Sequence, residues 1–564
     1  MLALGLTFGC GDRKAAGPTT VPDHPPGHAG PGDHAGHAGH AGHAGHAGHP
    51  GSGAMPAPGR GAEFAITCGP DAQKVFDQGF FFLHNMDYAK ARRAFETAAT
   101  NHASCAMLHW GVAMTYFQPL WPGQPTAESL KNGTAAVERA KASSAKASAR
   151  ERDYVAAVAA FYDGGDKVDH QTRSKSWAAA QKVLAERYPD DVEAQAFSGL
   201  ARLATMDKSD KTYAASRGVA EEMEKLLVKK PDHPGLMHYL LHAYDNPAYA
   251  NQAVEVARKY EAVTPDGAHA LHMPSHIHVR LGNWKEVVDW NIKSAAAALK
   301  NPAGDRISRD FLHALDYMTY GYLQMGDDEQ AKQMVGKIDP ATKYELSSGP
   351  AAYGLAATPA RYAIERRAWA EAAALVPRKV DYNWDQYPWA EAVIHAARGL
   401  GAARTKDLKS AEKSLVELDR LKPLVDAPWW QKRVQIERDV VAAWIAHGRR
   451  DYKKAEELFR RAGQLETAAG KDSVEPGHVI SANEELGDFL LDRKRPADAL
   501  QVFKTVLDES PRRFHSVSSA ARAAELAGRH PEAKAYYAQL LEISTATTTR
   551  PARAQALAYL AKHP

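Results

Sequence analysis

A spacing of 34 residues near the C-terminus constrains the fold of this chain more than any other feature of its sequence. Small and aromatic residues recur at this spacing, first as Gly487, Ala499 and Phe503 and then as Ala521, Ala533 and Tyr537. Apolar residues between them follow helical spacing, and the small residues allow two helices of a hairpin to approach closely. Each hairpin buries its apolar face against its neighbours. The sequence therefore predicts an all-α array of helix hairpins.

The first of these copies resembles the tetratricopeptide repeat, with matches at Leu486, Gly487, Leu490, Ala499, Phe503 and Pro511. Weaker copies extend the resemblance over most of residues 65–560. The resemblance implies a right-handed α-solenoid whose first helices line a concave groove, where ligands or partners bind. We predict an N-terminal array over 63–340, with a histidine-lined groove, and a C-terminal array over 341–564. The segments HYLLH and HALHMPSHI also resemble uncharacterised bacterial repeat proteins, which implies no activity.

Composition narrows the class of partner. The 564 residues include 70 Lys and Arg against 67 Asp and Glu, so no strong basic field is available for nucleic acid. No run of about 18 apolar residues follows the first few positions, so we expect no membrane-spanning helix. A protein, a peptide or a small ligand in the groove is the predicted partner.

The N-terminus predicts export. The stretch MLALGLTFGCGD, residues 1–10 and the two that follow, resembles a bacterial lipoprotein signal in which Cys10 would be acylated. It lacks a basic start and has a short apolar run, so a fortuitous apolar start is the alternative. The prediction is a lipoprotein of the periplasm or cell envelope, attached to the membrane by its N-terminal lipid only. Cys68 and Cys105 would then form a disulfide, or otherwise serve as two small buried apolar residues.

A histidine-rich linker follows over residues 11–62. Eight histidines lie between positions 23 and 49, most of them in a Gly-His-Ala period. Glycine and proline without large apolar side chains cannot bury a core, so this linker is predicted to be disordered. Flexible imidazoles capture divalent metals weakly. The alternative is a solvated spacer.

The repeat register brings four other histidines together. Adding 34 converts His238 and His242 into His272 and His276, and each pair is spaced i, i+4 on one helical face. The resemblance places these faces on the groove, together with Asp245. Packed helices lie roughly 8–10 Å apart, so imidazoles from two helices can converge on one ion. We predict a metal site formed by the four histidines.

Further groove positions are predicted to contact a ligand. His269 shares the face of the second pair, and the next first helix offers His313, Asp316 and Tyr320. Arg361 falls at a groove position and would hold an anionic group, or would otherwise pair with Glu365 four residues on. The loop containing Glu475 and His478 is also placed within reach of the groove.

These residues leave the chemistry open. Imidazole with carboxylate suits zinc, copper, nickel or iron, and the absence of a Cys or Met cluster at these positions disfavours Cu(I). A His/Asp/Tyr cluster can also be a hydrogen-bond network that binds an organic ligand. No nucleophile elbow, P-loop or dinucleotide motif is present. The favoured function is a metal-binding protein. The alternatives are a metal-dependent hydrolase with Asp245 or Asp316 as general base, and an interaction scaffold without metal.

Overall fold

The turn inside each hairpin explains where many of the helices begin. In four of these turns a residue with positive φ is followed by the aspartate that begins the second helix, at Met86–Asp87, Gly326–Asp327, Lys406–Asp407 and Arg450–Asp451. The left-handed residue reverses the chain. The aspartate then accepts a hydrogen bond from the backbone N–H three residues on, which caps the second helix. Such a cap stabilises a helix by about 1 kcal/mol.

The computed structural model describes residues 62–120, 125–207, 210–302, 304–338, 342–345, 348–377 and 384–563, all in one compact unit. The signal-like segment with Cys10 and residues 11–61 of the linker lie outside the described residues. Within the described part, an isolated bridge between Ile307 and Tyr344 is the sole β-type pairing.

The first half contains the helices α1 (Pro70–His84), α2 (Tyr88–Asn101), α3 (Ala106–Phe117), α4 (Ala127–Ala142), α5 (Ala149–Tyr162), α6 (His170–Arg187), α7 (Val192–Thr205), α8 (Ala214–Lys229), α9 (Pro234–Tyr244), α10 (Val254–Val263), α11 (Ala268–Leu281), α12 (Trp284–Lys300), α13 (Arg309–Gln324) and α14 (Asp328–Gly336). A 3₁₀ helix, Ala250–Ala253, leads into α10.

The second half contains α15 (Gly349–Glu365), α16 (Trp369–Ala373), α17 (Pro388–Arg404), α18 (Leu408–Leu421), α19 (Pro428–Gly448), α20 (Tyr452–Ala469), α21 (Ala482–Asp492), α22 (Pro496–Glu509), α23 (Phe514–Leu526), α24 (His530–Ile543) and α25 (Pro551–Lys562). None of the described helices is both long and apolar enough to cross a bilayer.

Close packing within hairpins follows the predicted small residues. A Cβ added at Gly487 would lie 2.5 Å from the Phe503 ring, and one added at Gly79 would lie 2.7 Å from the Phe95 ring. The aromatic ring of each second helix therefore fills the space above a glycine of the first. These hairpins confirm the predicted all-α, tetratricopeptide-type solenoid.

The apolar core is continuous but organised in two clusters. One runs from Phe64 to Ile277 and the other from Ala268 to Tyr559, and both include residues of α11. The boundary that we predict near residue 340 stays a prediction.

The end of the chain packs back onto its middle. The Trp284 indole N–H donates to the carbonyl of Arg512 at 2.9 Å, and the Gln324 side chain accepts from the Phe514 N–H at 2.8 Å. Further along, the Arg550 guanidinium contacts Asp328 at 2.6 Å. The starts of α23 and α25 therefore lie against α12–α14.

We refer to the connection between α20 and α21, residues 470–481, as the inner segment. It packs against α13 and α15. The Ser473 carbonyl accepts from the Tyr317 hydroxyl at 3.2 Å, and the Gly477 carbonyl accepts from Arg361 at 2.8 Å. The carboxylate of Glu475 accepts from the Tyr353 hydroxyl at 2.9 Å. The groove side of α13 and α15 is thus covered by the chain itself.

Cys68 and Cys105 form a disulfide. The bond connects the segment before α1 to the residue that precedes α3. It selects the first of the two roles that the sequence left open.

Candidate metal centre

Three first helices, α9, α11 and α13, carry six histidines on neighbouring faces. The i, i+4 spacing stacks two imidazoles on α9 and two on α11, and single histidines of α11 and α13 join them. The six rings form a continuous array in which neighbouring centroids lie 4.3–6.4 Å apart, made of His238, His242, His269, His272, His276 and His313.

The ligand atoms divide this array into two sets of three. His272, His276 and His313 form the α11–α13 set, and His238, His242 and His269 form the α9–α11 set. Within each set the candidate ligand atoms lie within 4.8 Å of one another. The sequence predicts one ion bound by both histidine pairs. In the structure, each i, i+4 pair is instead joined by a single histidine of the next first helix, which gives two separate sets.

Hydrogen bonds fix the tautomer of His272. Its Nδ1 lies 2.7 Å from the Asn291 side-chain oxygen. The Asn291 amide nitrogen donates to the Val287 carbonyl at 2.7 Å, so the amide oxygen must face the imidazole. His272 therefore donates through Nδ1–H, and its Nε2 presents a lone pair.

His276 is held in the same way by Asp245. The His276 Nδ1 lies 3.0 Å from one carboxylate oxygen, while Arg280 donates to the other oxygen at 2.7 Å. Burial opposes ionisation of Asp245, but the positive charges of Lys471 and Arg280, together with the His276 hydrogen bond, hold its pKa well below the usual range. The carboxylate therefore accepts the Nδ1–H of His276, and Nε2 of His276 also presents a lone pair.

These two Nε2 atoms face each other at 2.9 Å. Two neutral imidazoles whose Nδ1–H groups are both engaged elsewhere offer only lone pairs to this contact, which is repulsive. A cation between them, either a metal ion or a shared proton, removes the repulsion.

His313 completes the α11–α13 set. Its ring centroid lies 4.3 Å from that of His272, and its Nδ1 is buried without a hydrogen-bond partner among the described residues. Tyr317 packs edge-on against His272 at 4.4 Å and closes the set. Burial raises the pKa of Tyr317 well above its usual value, so the phenol stays protonated.

The α9–α11 set has a comparable support. The Nδ1 of His238 donates to the His84 carbonyl at 2.9 Å, and its Nε2 is buried with no hydrogen-bond partner in the described part of the chain. The His238 ring lies 4.9 Å from that of His242 and 5.1 Å from that of His269. Backbone, carboxylate and amide oxygens thus orient the imidazoles in the way that outer partners orient metal ligands.

Burial keeps these imidazoles neutral. It lowers the pKa of His238 and of His313 from 6.5 to about 3. It also lowers the pKa of His269 and His272 well below the usual value. The pKa of His276 is lowered by burial as well, although its contact with Asp245 acts in the opposite direction. Neutral imidazole is the form that binds metal.

A cavity of about 750 Å³ adjoins the α9–α11 set. His242, Asp245, Arg280 and Lys471 all line it, and burial lowers the pKa of Lys471 to about 8. Eight carboxylates and three Lys or Arg side chains line its wall, so the cavity favours cations. The α11–α13 histidines are not among the described residues that line it.

Asp316, Tyr320 and Arg361 form a separate network. Arg361 donates to both carboxylate oxygens of Asp316 at 2.9 and 3.2 Å, rather than to Glu365. Tyr320 accepts a hydrogen bond from Arg513 at 3.0 Å, and Arg513 also contacts Glu365. The α13 rings that pack on His272 are those of His313 and Tyr317. They lie about one turn before Asp316 and Tyr320, the α13 residues that were also predicted to contact a ligand.

Another histidine cluster lies beside α1. The Nε2 atoms of His84 and His233 lie 2.9 and 3.0 Å from the two carboxylate oxygens of Glu193. The remaining ring nitrogens contact the Tyr239 hydroxyl and the Leu236 N–H. Every ring nitrogen of this cluster has a hydrogen-bond partner.

Sequence reasoning missed several contributors. Asn291, Tyr317 and Lys471 support or border the sets, and His84 contributes a backbone carbonyl. The position of Tyr317, four residues after His313, is the one signal that pointed to it. The others come from different repeats, and no local pattern connects them to the histidines.

No family model matches the chain, and no curated protein matches it. Among solved structures, the Cut9–Hcn1 heterotetramer of the APC/C is 11% identical over 86% of this chain and 75% of that chain, with a TM-score of 0.35. A human IFIT1 dimer with PPP-AAAA is 12% identical over 83% and 90%, with a TM-score of 0.37. Yeast Tom70 is 12% identical over 87% and 96%, with a TM-score of 0.29. Likeness at this level carries nothing about the ligand or activity of this chain.

Proposed function

We propose that this protein binds a transition metal ion at the α11–α13 set, inside a helical-repeat scaffold. The observation that carries the proposal is the 2.9 Å contact between the Nε2 atoms of His272 and His276, each presenting a lone pair. Tetrahedral binding with metal–nitrogen bonds of about 2.0–2.1 Å separates two nitrogens by about 3.3 Å, so the pair opens by about 0.4 Å on binding. His313 supplies a third nitrogen.

The donor set indicates which ions fit. Three neutral imidazoles with no thiolate suit zinc, copper or nickel. Asp245 and Asn291 act as the outer partners that hold the ring orientation. Because the three rings are between 1% and 5% exposed, an ion there would be sealed from solvent and held for structure or storage.

A cell-envelope location fits this function. The Cys68–Cys105 disulfide is typical of an oxidising compartment. Together with the signal-like start at Cys10, it supports an exported lipoprotein similar to uncharacterised bacterial repeat proteins. The eight histidines of the linker would collect metal weakly close to the folded part. A peptide, protein or small-molecule partner would enter through the acidic cavity, which disfavours nucleic acid.

A metal-dependent hydrolase is the second candidate, because Asp245 lies between the histidines and the cavity. Both of its oxygens already accept hydrogen bonds, from Arg280 and from His276. Asp316, the other candidate base, is buried in its ion pair with Arg361. Both carboxylates are thus engaged by neighbouring side chains, so binding has the better support.

Metal analysis of the full chain tests the proposal. The eight linker histidines are first replaced by Gln, so that bound metal reports the folded part alone. After exposure to zinc and gel filtration, we expect the protein to retain bound zinc. The double variant His272→Asn/His276→Asn should retain one equivalent less. The matched control is His278→Asn, which changes a buried histidine of the same helix outside both sets.

Absence of metal in a folded protein would overturn the proposal. In that case nitrogen NMR should find His276 protonated, with the shared proton bound between the two Nε2 atoms. If a defined protein partner also bound equally well to the double variant, a metal-free scaffold would replace metal binding as the function.

A further inference from the structure

We infer a second metal ion site at the α9–α11 set, so that the protein holds a two-ion centre whose second ion faces the cavity. This inference rests on the proposed function, since it extends the same centre. His238, His242 and His269 supply three nitrogens, and the His84 carbonyl fixes the His238 ring with its Nε2 directed into the set.

The Nε2 of His238 is the first argument. It is fully buried, has no hydrogen-bond partner in the described part of the chain, and belongs to a neutral imidazole. A buried polar atom of this kind is destabilising unless a ligand occupies it. Because the His84 carbonyl accepts the Nδ1–H of His238, the Nε2 presents a lone pair to the set, where a metal ion can coordinate it.

Repetition of the geometry is the second argument. In each set an i, i+4 pair on one first helix meets a single histidine from the next first helix. The two sets adjoin through His242 and His276, whose centroids lie 6.4 Å apart, and through His269 and His272 at 6.3 Å. The 34-residue repeat therefore relates the two pairs, and the packing of neighbouring first helices gives each pair a third nitrogen, so that two three-nitrogen sites lie side by side.

The two sites differ in access. His242 lines the cavity of about 750 Å³, whereas the α11–α13 histidines are not among its described lining residues. A three-nitrogen site next to open space keeps a coordination position for an external ligand. Since imidazoles bring no negative charge, the charge of two divalent ions favours an anion at that position next to the metal, even though the wall of the cavity carries more carboxylates than cations. The site is therefore suited to a small anionic oxygen or nitrogen donor held between the cavity and the second ion.

Stoichiometry in the linker-substituted full chain tests the second site. We expect two equivalents of zinc, one in His238→Asn, one in His272→Asn/His276→Asn, and two in the control His278→Asn. One equivalent in both the parent and His238→Asn would overturn the second site and leave the proposed function intact. One equivalent that disappears in His238→Asn alone would overturn the proposed α11–α13 site instead. An absence of metal from the folded parent would overturn both.

Cobalt substitution with azide as the probe tests access. Azide should change the visible spectrum of the Co(II) protein, and His238→Asn should abolish that change while His272→Asn/His276→Asn retains it. A dipicolinate chase should remove one equivalent quickly and the second slowly. An azide response that persists without His238, or release of both ions in one phase, would contradict a cavity-facing second site.

Discussion

The α11–α13 set and the His84–Glu193–His233 cluster both bring buried histidines equally close together, yet they have different chemistry. In both, the candidate ligand atoms lie within 4.8 Å and all three residues are buried. Beside α1, a carboxylate lies between two imidazoles and each ring nitrogen has a partner. On α11, the carboxylate lies behind the imidazole and two lone pairs face each other.

The difference shows that proximity of histidines does not define a metal site. Burial opposes ionisation of Glu193, but the charges and hydrogen bonds of His233 and His84 hold its pKa well below the usual range. That cluster connects α1, α7 and the start of α9, so it is a structural connection between repeats. In the α11–α13 set, Asn291 and Asp245 accept from the Nδ1–H groups instead. This leaves the Nε2 atoms of His272 and His276 available for an ion.

The largest expected effect is a loss of stability when the His84–Glu193–His233 cluster is disrupted, without a change in metal binding. Glu193→Gln leaves two buried imidazoles with a weaker acceptor and should lower the free energy of unfolding by about 3 kcal/mol, as for other broken buried pairs. Zinc content should not change. Urea unfolding and metal analysis check both results, with the exposed Glu138→Gln as control, whose pair with Lys141 is worth about 0–1 kcal/mol. Loss of metal in Glu193→Gln would contradict a purely structural role.

The next effect is a pH dependence of the metal-free protein. Unfolded histidine binds a proton below a pH of about 6.5, whereas the pKa of buried His313 is about 3. The unfolded chain therefore takes up protons first, and stability falls as the pH drops from 6.5 toward 3. Between pH 7 and pH 5 this group should contribute a loss of about 2 kcal/mol.

Urea unfolding of the metal-free protein at the two pH values measures this loss, and His313→Asn should reduce it by that amount. If the parent and the variant lost the same free energy of unfolding between the two pH values, His313 would not be held neutral by burial. The contrast with the His84–Glu193–His233 cluster would then be smaller than the geometry indicates.

A smaller effect concerns the outer partners. Asp245→Asn removes the carboxylate behind His276 and should weaken zinc binding at the α11–α13 set by about 10–100-fold. Competition with a chromophoric chelator measures the affinity. An unchanged affinity would mean that Asp245 does not orient the ring, and complete loss of the ion with the fold intact would indicate a direct ligand.

The smallest effect tests whether Tyr317 only packs against the α11–α13 set or also binds the metal ion. Tyr317→Phe keeps the ring against His272 and removes the hydrogen bond to the Ser473 carbonyl, which should cost about 1 kcal/mol of stability. Zinc content and affinity should match the parent protein. A lower affinity would make the phenol part of the coordination sphere.

Much of the local structure was predictable. The repeat register identified the i, i+4 pairs, and the second pair lies on one face of α11, as predicted. The prediction that Asp316 and Tyr320 contact a ligand in the groove did not anticipate the ion pair of Asp316 with Arg361 or the inner segment over these residues. That segment lies more than 150 residues further along the chain.

The sequence by itself determined the helix hairpins and the histidines that share a helical face, because both follow from interactions within a few turns of the chain. The tertiary structure decided which third histidine joins each pair and which nitrogen carries the proton. Those outcomes depend on Asn291, Asp245 and the His84 carbonyl, which reach the imidazoles from other helices. A lone pair becomes available for metal only when such a distant acceptor holds the opposite N–H.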